Sequence, residues 1–543
     1  MSEEGKIAFF TPEIAVDNSL YTYSGGLGVF AGGFLIAACK MGLPVVGVTL
    51  LPRQGYYDQY LNENQKMGVR YVNRTYEGIL EPTGVKFKIP LSGSEVWIEV
   101  LKLPAGRFGT TDIYFLDCDI EENDALSRSN TLQLYGGSRD SGANIERKIA
   151  QSFILGRGGV RALELLNIPV ELYHINESHA AFAALELLER ELQLTADLET
   201  ATEVVRSQVV FTTHTPVRAG NPEYGTYSDG IPMVLKMGSF GKEITSEVLR
   251  RVGGEPFNMT ASCLRLSRKA NAVSQKHGDV AQKLWHWVEG ASPIIAITNG
   301  TSRDFWQAES FRNANTAEDM RFAKKQGKRA MLRFIEEHTG KHLSENIFTV
   351  VWARRFAEYK RPKLLFSDME WLKSRLSANA LQVVIAGRPH PDDYAMIDVW
   401  NWLYKRSTEL PNLVVLAGYD LDMSKILKAG ADLWLNTPRS PDEACGTSGM
   451  SAAMNGAINM STPDGWMPEA NPENCFLFGA RFAASDQDAY DAEKLRDALD
   501  QVLVMYFTPG EWSKRQLAAK LEAEMRWTSD RMVSQYQELL YKK

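Results

Sequence analysis

Apolar residues along the chain fall into short unbroken runs separated by longer stretches of helical period. IAFFTPE (7–13), PVVGVTLL (44–51), TDIYFLD (111–117), VELYHIN (170–176), SQVVFTTH (207–214) and PIIAITN (293–299) have strand length. Between several of them lie helical patterns: FAGGFLIAACKMGL (30–43), RKIAQSFILGRGGVRALELL (147–166) and HAAFAALELLERELQL (179–194). Runs apolar at every position suit strands covered on both faces, so the alternation predicts an α/β domain with a mostly parallel sheet. Residues 65–120 carry many β-formers and turns and read as an antiparallel excursion within that domain.

After residue 300 the series restarts. A charged amphipathic helix is predicted over 316–339, followed by NIFTVVWARR, LQVVIAGRP, NLVVLAGY, ADLWLNT and AINMST, the strands of a second sheet. The last stretch, from Gly510, reads as a long helical segment that packs on the second domain or crosses back to the first. The expected organisation is therefore two Rossmann-like, doubly wound domains facing a central cleft. Residues 1–300 form the first, with a glycine loop and the acceptor side. Residues 301–510 form the second, holding donor phosphate and sugar, and 511–543 the helical tail. Ligands in such folds bind outside the carboxyl ends of the strands.

Composition adds exclusions. At 543 residues two domains are the default, and 44% hydrophobic with 23% charged residues is ordinary for a globular enzyme. A net charge of −7 argues against a large basic surface, so no nucleic-acid partner is expected. The N-terminus lacks a signal-peptide pattern, and no apolar run approaches membrane-spanning length, so the expectation is a cytoplasmic protein without a membrane partner. The five cysteines, Cys39, Cys118, Cys263, Cys445 and Cys475, are scattered and show no zinc spacing.

Six polar clusters sit at predicted strand ends. In YSGGLGVFAGG, Gly25 and Gly26 precede a helix, either as backbone that lets an anion approach or as a tight turn. In HINESHAAF, Asn176, Glu177 and His179 suit sugar hydroxyls or a structural network better than a metal, and no metal site is expected. His214 in FTTHTPVRAG and Asn299 in AITNG occupy equivalent strand ends, His214 reading as a cleft residue or a structural histidine. In WARRFAEYKRP four cations follow an apolar strand; Arg355 and Lys360 are read as a phosphate clamp rather than a solvated face. In EACGTSGMSAAMNG (443–456), Glu443 is aimed at neutral hydroxyls, and Gly446, Thr447 and Ser448 offer backbone amides to an anion. Together these residues specify a sugar phosphate or a nucleotide sugar.

The motifs YSGGLGVFAGG, LPRQGYYDQY, LGRGGVRALELL, HINESHAAF, FTTHTPVRAG, ITNG, RRFAEYKRP, AGADLWLNTP and EACGTSGMSAAMNG resemble, in order, those of the α-glucan (glycogen/starch) phosphorylases of short prokaryotic type. The resemblance implies a GT-B fold and retaining glucosyl transfer. It implies that His214 lies beside the reacting sugar, that Asn299 and Glu443 hold glucose hydroxyls, that Arg355 and Lys360 clamp phosphate, and that Gly25 and Gly26 cover it. The family binds pyridoxal phosphate through a lysine directly after the methionine of the last motif. Here Ser451 follows Met450, and the nearest upstream lysine is Lys428. A hydroxyl forms no imine, so covalent pyridoxal phosphate is excluded at Ser451 and no cofactor is expected. Smaller departures are Asn221 and Gly33, where short relatives carry histidine and aspartate. The expected activity is transfer of a hexose, glucose by resemblance, from a nucleotide-diphosphate sugar to a sugar, glucan or polyol. The alternatives are phosphorolysis with non-covalent or absent cofactor, and a non-catalytic glucan-binding protein. Relatives are commonly dimers, and a homodimer is compatible with the sequence.

Overall fold

The computed structural model describes residues 5–135, 142–225, 230–481, 485–508 and 510–542. Two compact units emerge: Met1–Tyr56, Tyr71–Thr298 and Met532–Lys543 form the first, and Tyr57–Arg70 with Asn299–Arg531 the second.

The first unit is built on a nine-stranded sheet. Its strands in chain order are β1 (Lys6–Phe10), β2 (Val45–Leu50), β3 (Glu81–Leu91), β4 (Ser94–Leu103), β5 (Ile113–Asp117), β6 (Val170–Asn176), β7 (Val209–Thr212), β8 (Lys269–Ala272) and β9 (Ile294–Ala296). They lie in the order β9-β8-β7-β6-β1-β2-β5-β4-β3. All pairings are parallel except β3–β4 and β4–β5, the antiparallel excursion foreseen from composition. That excursion begins later than expected. Residues 67–70 pair with Asp58–Leu61 in a hairpin that belongs to the second unit.

Helices α1 (Gly26–Lys40) and α2 (Phe182–Thr195) follow β1 and β6. The strands are apolar at consecutive positions because both faces are covered. Phe10, Leu116 and Phe211 enter one core, and their neighbours Phe9, Phe115 and Val210 enter another, which also takes Met532, Val533 and Tyr536 from the tail.

The second unit has a six-stranded, fully parallel sheet: β10 (Phe348–Ala353), β11 (Leu381–Ala386), β12 (Leu413–Leu416), β13 (Leu433–Asn436), β14 (Ile458–Ser461) and β15 (Cys475–Leu477). The order β12-β11-β10-β13-β14-β15 is that of a Rossmann-like, doubly wound sheet. The order in which strands are added switches sides between β10 and β13, which is where such sheets bind ligands. Helix α3 (Ala317–Thr339) starts at a Thr316/Asp319 capping box and ends on Gly340 in the left-handed region. Helices α4 (Leu421–Gly430) and α5 (Ser448–Ala453) flank β13.

The tail is not one long helix. Helix α6 (Glu511–Arg526) stops where Thr528 pairs with Thr301, and a further helix begins at Ser529. Among the described residues no helix is long and apolar enough to cross a membrane.

Candidate functional site

The chemistry-bearing residues gather at the carboxyl ends of each sheet. In the second unit they lie at the switch between β10 and β13. Residues 354 and 355 leave β10 on opposite sides: Arg354 is 7% exposed, and Arg355 points to solvent and to Tyr359. It is Arg354 that meets Glu443. Its Nη2 donates to Glu443 Oε2, while Lys360 Nζ lies 3.0 Å from Oε2 and 3.3 Å from Oε1. The carboxylate read from sequence as facing neutral hydroxyls is thus first the counter-ion of two buried cations. Arg361 is committed elsewhere, to the carbonyls of Thr437 and Pro438 and to Asp488 and Asp491.

Electrostatics follow from this packing. Burial alone would raise the Glu443 carboxyl, but Arg354 and Lys360 outweigh it and hold it at about 2. Burial, with the adjacent Arg354 charge, pulls the Lys360 ammonium down to about 7 against the attraction of Glu443. Two nitrogens of Arg354, Nε and Nη1, are buried and have no hydrogen-bond acceptor. So are two acceptors, Asn299 Oδ1 and Asn436 Oδ1. Buried polar atoms are normally satisfied, so each of these four has hydrogen-bonding capacity that the described residues leave unused.

Asn299 is fixed through its backbone, because Arg531 Nη2 donates to its carbonyl at 2.8 Å. Asn436 and Arg354 are site residues that the sequence reading did not select. Asn436 ends β13, and its strand-end position was the available signal.

The segment from Glu443 to Ser448 is held from both sides. The Glu443 amide donates to Asp464 Oδ2, and Trp466 Nε1 donates to the Gly446 carbonyl. Gly446 takes φ +84°, a conformation that favours glycine, and this turns the chain into α5 with Thr447 and Ser448 at its start. Ser451 is 2% exposed and its hydroxyl is turned back onto the helix, 3.1 Å from the Ser448 carbonyl and 3.4 Å from that of Thr447.

In the first unit the strand order switches sides between β1 and β6, and the predicted residues cluster there. His214 Nε2–H donates to Asn176 Oδ1 at 2.7 Å, and Asn176 Nδ2 donates to Thr11 at 3.0 Å. Glu177 gathers three donors: the amides of Ser178 and His214 and the Thr215 hydroxyl. Burial pulls the His214 imidazole down to about 3, and His277 and His174 add to this, so it is neutral at pH 7. The edge of Phe30 from α1 packs on it. His179 is also pushed down by burial; it packs against Tyr135, and its Nδ1 is buried without a partner.

The glycine loop behaves differently from expectation. Neither Gly25 (φ −165°) nor Gly26 has a positive φ, so no left-handed turn demands glycine there. A Cβ at either would meet nothing within 4 Å. Neither the backbone conformation nor the packing of the described residues therefore requires glycine at these positions. However, the Ser24 and Gly25 amides already donate to Glu13, a buried carboxylate just beyond β1 that the sequence reading passed over. Among the described residues no group of three or more histidine, cysteine or acidic side chains is arranged to hold a metal.

Comparison with known proteins finds relatives along the whole chain. The family model described as carbohydrate phosphorylase matches residues 306–496. An uncharacterised protein of Methanocaldococcus jannaschii is 38% identical over 98% of this chain and 99% of its own. The maltodextrin phosphorylase of Thermococcus litoralis is 28% identical over 99% of this chain and 71% of its own. The glycogen phosphorylase of Aquifex aeolicus is 28% identical over 99% of this chain and 86% of its own.

Proposed function

The chain belongs to the carbohydrate (α-glucan) phosphorylase family, and from that premise we propose that it is a retaining hexosyltransferase that uses a nucleotide-diphosphate sugar and no pyridoxal phosphate. Glucan-related glycosyl transfer or phosphorolysis is the chemistry of the family; the donor is the point at issue. The observation that carries the reading is Arg354. One arm of its guanidinium fixes Glu443, and two buried nitrogens remain for an anion. A diphosphate leaving group would take those donors and the Lys360 ammonium, and the Gly446–Ser448 amides extend the same anion region. Glu443, Asn299 and Asn436 supply acceptors for the hydroxyls of the sugar.

Ser451 supports the absence of the cofactor. Pyridoxal phosphate needs a primary amine at the end of its tether, and the hydroxyl at 451 is turned back onto backbone carbonyls. The residues at this position do not fit the group.

In the proposed reaction the bond from the anomeric carbon to the diphosphate breaks, and a bond to the acceptor oxygen forms on the same face. The acceptor proton passes to the departing phosphate oxygen, so no protein nucleophile is needed. Arg354, Arg355 and Lys360 stabilise the charge that develops on the leaving group. The cluster of His214, Asn176, Glu177 and His179 in the first unit is assigned to carbohydrate hydroxyls, with His214 neutral throughout the physiological range.

The test is a panel of UDP-, ADP- and GDP-hexoses with maltooligosaccharide, simple sugar and polyol acceptors. Transfer from one donor is expected. Phosphorolysis of maltooligosaccharides without any nucleotide-sugar binding would overturn the reading and favour the activity for which two of the relatives are named.

A further inference from the structure

Several lysines of the second unit are buried, and most are tied. Lys324 Nζ donates to the carbonyls of Ala429 and Asn455, Lys328 to Ile347 and Asp432, and Lys520 to the Ala314 carbonyl, with Glu524 at 3.2 Å. Lys428, on α4, differs. It is 2% exposed, and among the described residues its amine has no hydrogen-bond acceptor and no carboxylate. Its Nζ instead stands 3.3 Å from the centre of the Trp306 ring and 6.0 Å from that of Trp434.

One aromatic wall is bonded to α5 and the other to Asn455, just beyond its end. Trp434 Nε1 lies 3.4 Å from Ser448 Oγ. The Trp306 carbonyl accepts from Asn455 Nδ2, which also donates to the Ser451 carbonyl, each at 2.9 Å. The amine of Lys428 thus lies in the layer packed directly against the helix that carries Ser451. Because Ser451 is itself 2% exposed, any group attached at 451 must take interior volume from that layer. Lys428 is the neighbour there with no polar tie to hold its side chain.

We infer that Lys428 is an internal plug: its side chain fills the chamber beside α5, so that the protein rejects an aldehyde cofactor by occupancy as well as by lacking an amine at 451. This rests on the cofactor-free reading above and deepens it. A buried amine with no counter-ion is costly, and burial with the nearby Lys425 pushes it well below the ordinary lysine range. With its head against indole faces, the side chain acts through the volume it fills, and methionine should replace it in volume.

The experiment uses the full chain with pyridoxal 5′-phosphate as probe, followed by borohydride reduction and peptide mapping of the pyridoxyl adduct. The proteins are wild type, Ser451→Lys, the double variant S451K/K428A and the double variant S451K/K428M, each checked for folding by circular dichroism. Wild type is expected to carry no adduct at 451 or 428. Ser451→Lys should label weakly, S451K/K428A roughly tenfold more strongly at 451, and S451K/K428M as weakly as Ser451→Lys alone. Full labelling of Ser451→Lys alone, labelling of Lys428 in wild type, or a folded S451K/K428A that still rejects the probe would each overturn the inference. Should S451K/K428A fail to fold, the decision passes to Ser451→Lys alone, for which full labelling refutes the plug and weak labelling upholds it. Nucleotide-sugar transfer by wild type is read separately. Transfer with an open Ser451→Lys chamber refutes only the plug; a closed chamber without transfer refutes only the donor assignment.

Discussion

Arg354 and Glu443 share one hydrogen bond, from Nη2 to Oε2, and the remaining two nitrogens of the guanidinium are buried with no acceptor. Lys360 completes the group on the same carboxylate. The cluster therefore has two cations and one anion, and an excess positive charge in a place shielded from water. Such an arrangement would let a carboxylate sit next to an anionic ligand without the repulsion that two anions otherwise suffer.

Replacing Glu443 with glutamine separates those two tasks. Arg354 and Lys360 would lose their counter-charge, so free nucleoside diphosphate should bind more tightly to Glu443→Gln than to wild type. Sugar transfer should fall by roughly 100-fold or more, the scale of losing a preorganised contact in an active site. Isothermal titration with the diphosphate and a transfer assay with the active nucleotide sugar give the two numbers. Weaker diphosphate binding by the variant would show that Glu443 does not oppose the anion.

Lys360 makes donor binding depend on pH. Its ammonium is held down to about 7 in the free protein. An anionic donor favours the charged form, so the bound-state value is higher than the free one. Between the two values binding takes up a proton, and affinity falls as pH rises through about 7, by at most roughly tenfold per unit. Below pH 7 the lysine is charged in both states and its contribution is flat. Titrations of a non-hydrolysable donor from pH 6 to 9 should show this decline in wild type and not in Lys360→Met. A wild-type profile as flat as the variant's would remove Lys360 from the clamp.

Much of this was legible along the chain. Strands covered on both faces announce themselves as unbroken apolar runs, so β1, β2, β5, β6 and β10 to β14 could be placed. β8 could not, because Lys269–Ala272 is four residues of KANA whose pairing is set by its neighbours. The choice between Arg354 and Arg355 is a matter of which way consecutive residues leave β10, and two adjacent arginines give no sequence signal for it. Glu13 was hidden by distance, since its partners, the amides of Ser24 and Gly25, lie 11 and 12 residues away. The break between α6 and the last helix is set by the bridge from Thr528 to Thr301, a contact over more than 200 residues that no local pattern encodes.

Glu177 should be structurally costly to replace. It is held at φ +72°, ψ +148°, a conformation that L-residues rarely adopt and that stores about 1–3 kcal/mol. Its carboxylate accepts from three donors around His214. Glu177→Gln keeps one acceptor oxygen and should cost about 2 kcal/mol; Glu177→Ala leaves all three donors unsatisfied and should cost more. Chemical denaturation measures both. Equal stability of the two variants would mean that the carboxylate does not hold the segment.

Gly300 provides a test of how Asn299 is positioned. Thr301 pairs with Thr528: its amide donates to the Trp527 carbonyl, and its carbonyl accepts from Ser529. This pairing, with Arg531 on the Asn299 carbonyl, fixes the strand end that carries Asn299. A Cβ on Gly300 would lie 2.1 Å from the Thr528 carbonyl oxygen and 2.4 Å from its carbon. Backbone cannot yield as a flexible side chain does, so the two segments must separate. Gly300→Ala is expected to lose about 3 kcal/mol of stability. It should also weaken donor-sugar binding while leaving the affinity for free nucleoside diphosphate near that of wild type, because Arg354 and Lys360 are anchored on β10 and β13 instead. Thermal unfolding together with titrations of sugar donor and diphosphate distinguishes the outcomes. Equal weakening of both ligands would place the phosphate contacts on the 299–301 segment and detach them from the Arg354–Glu443 pair.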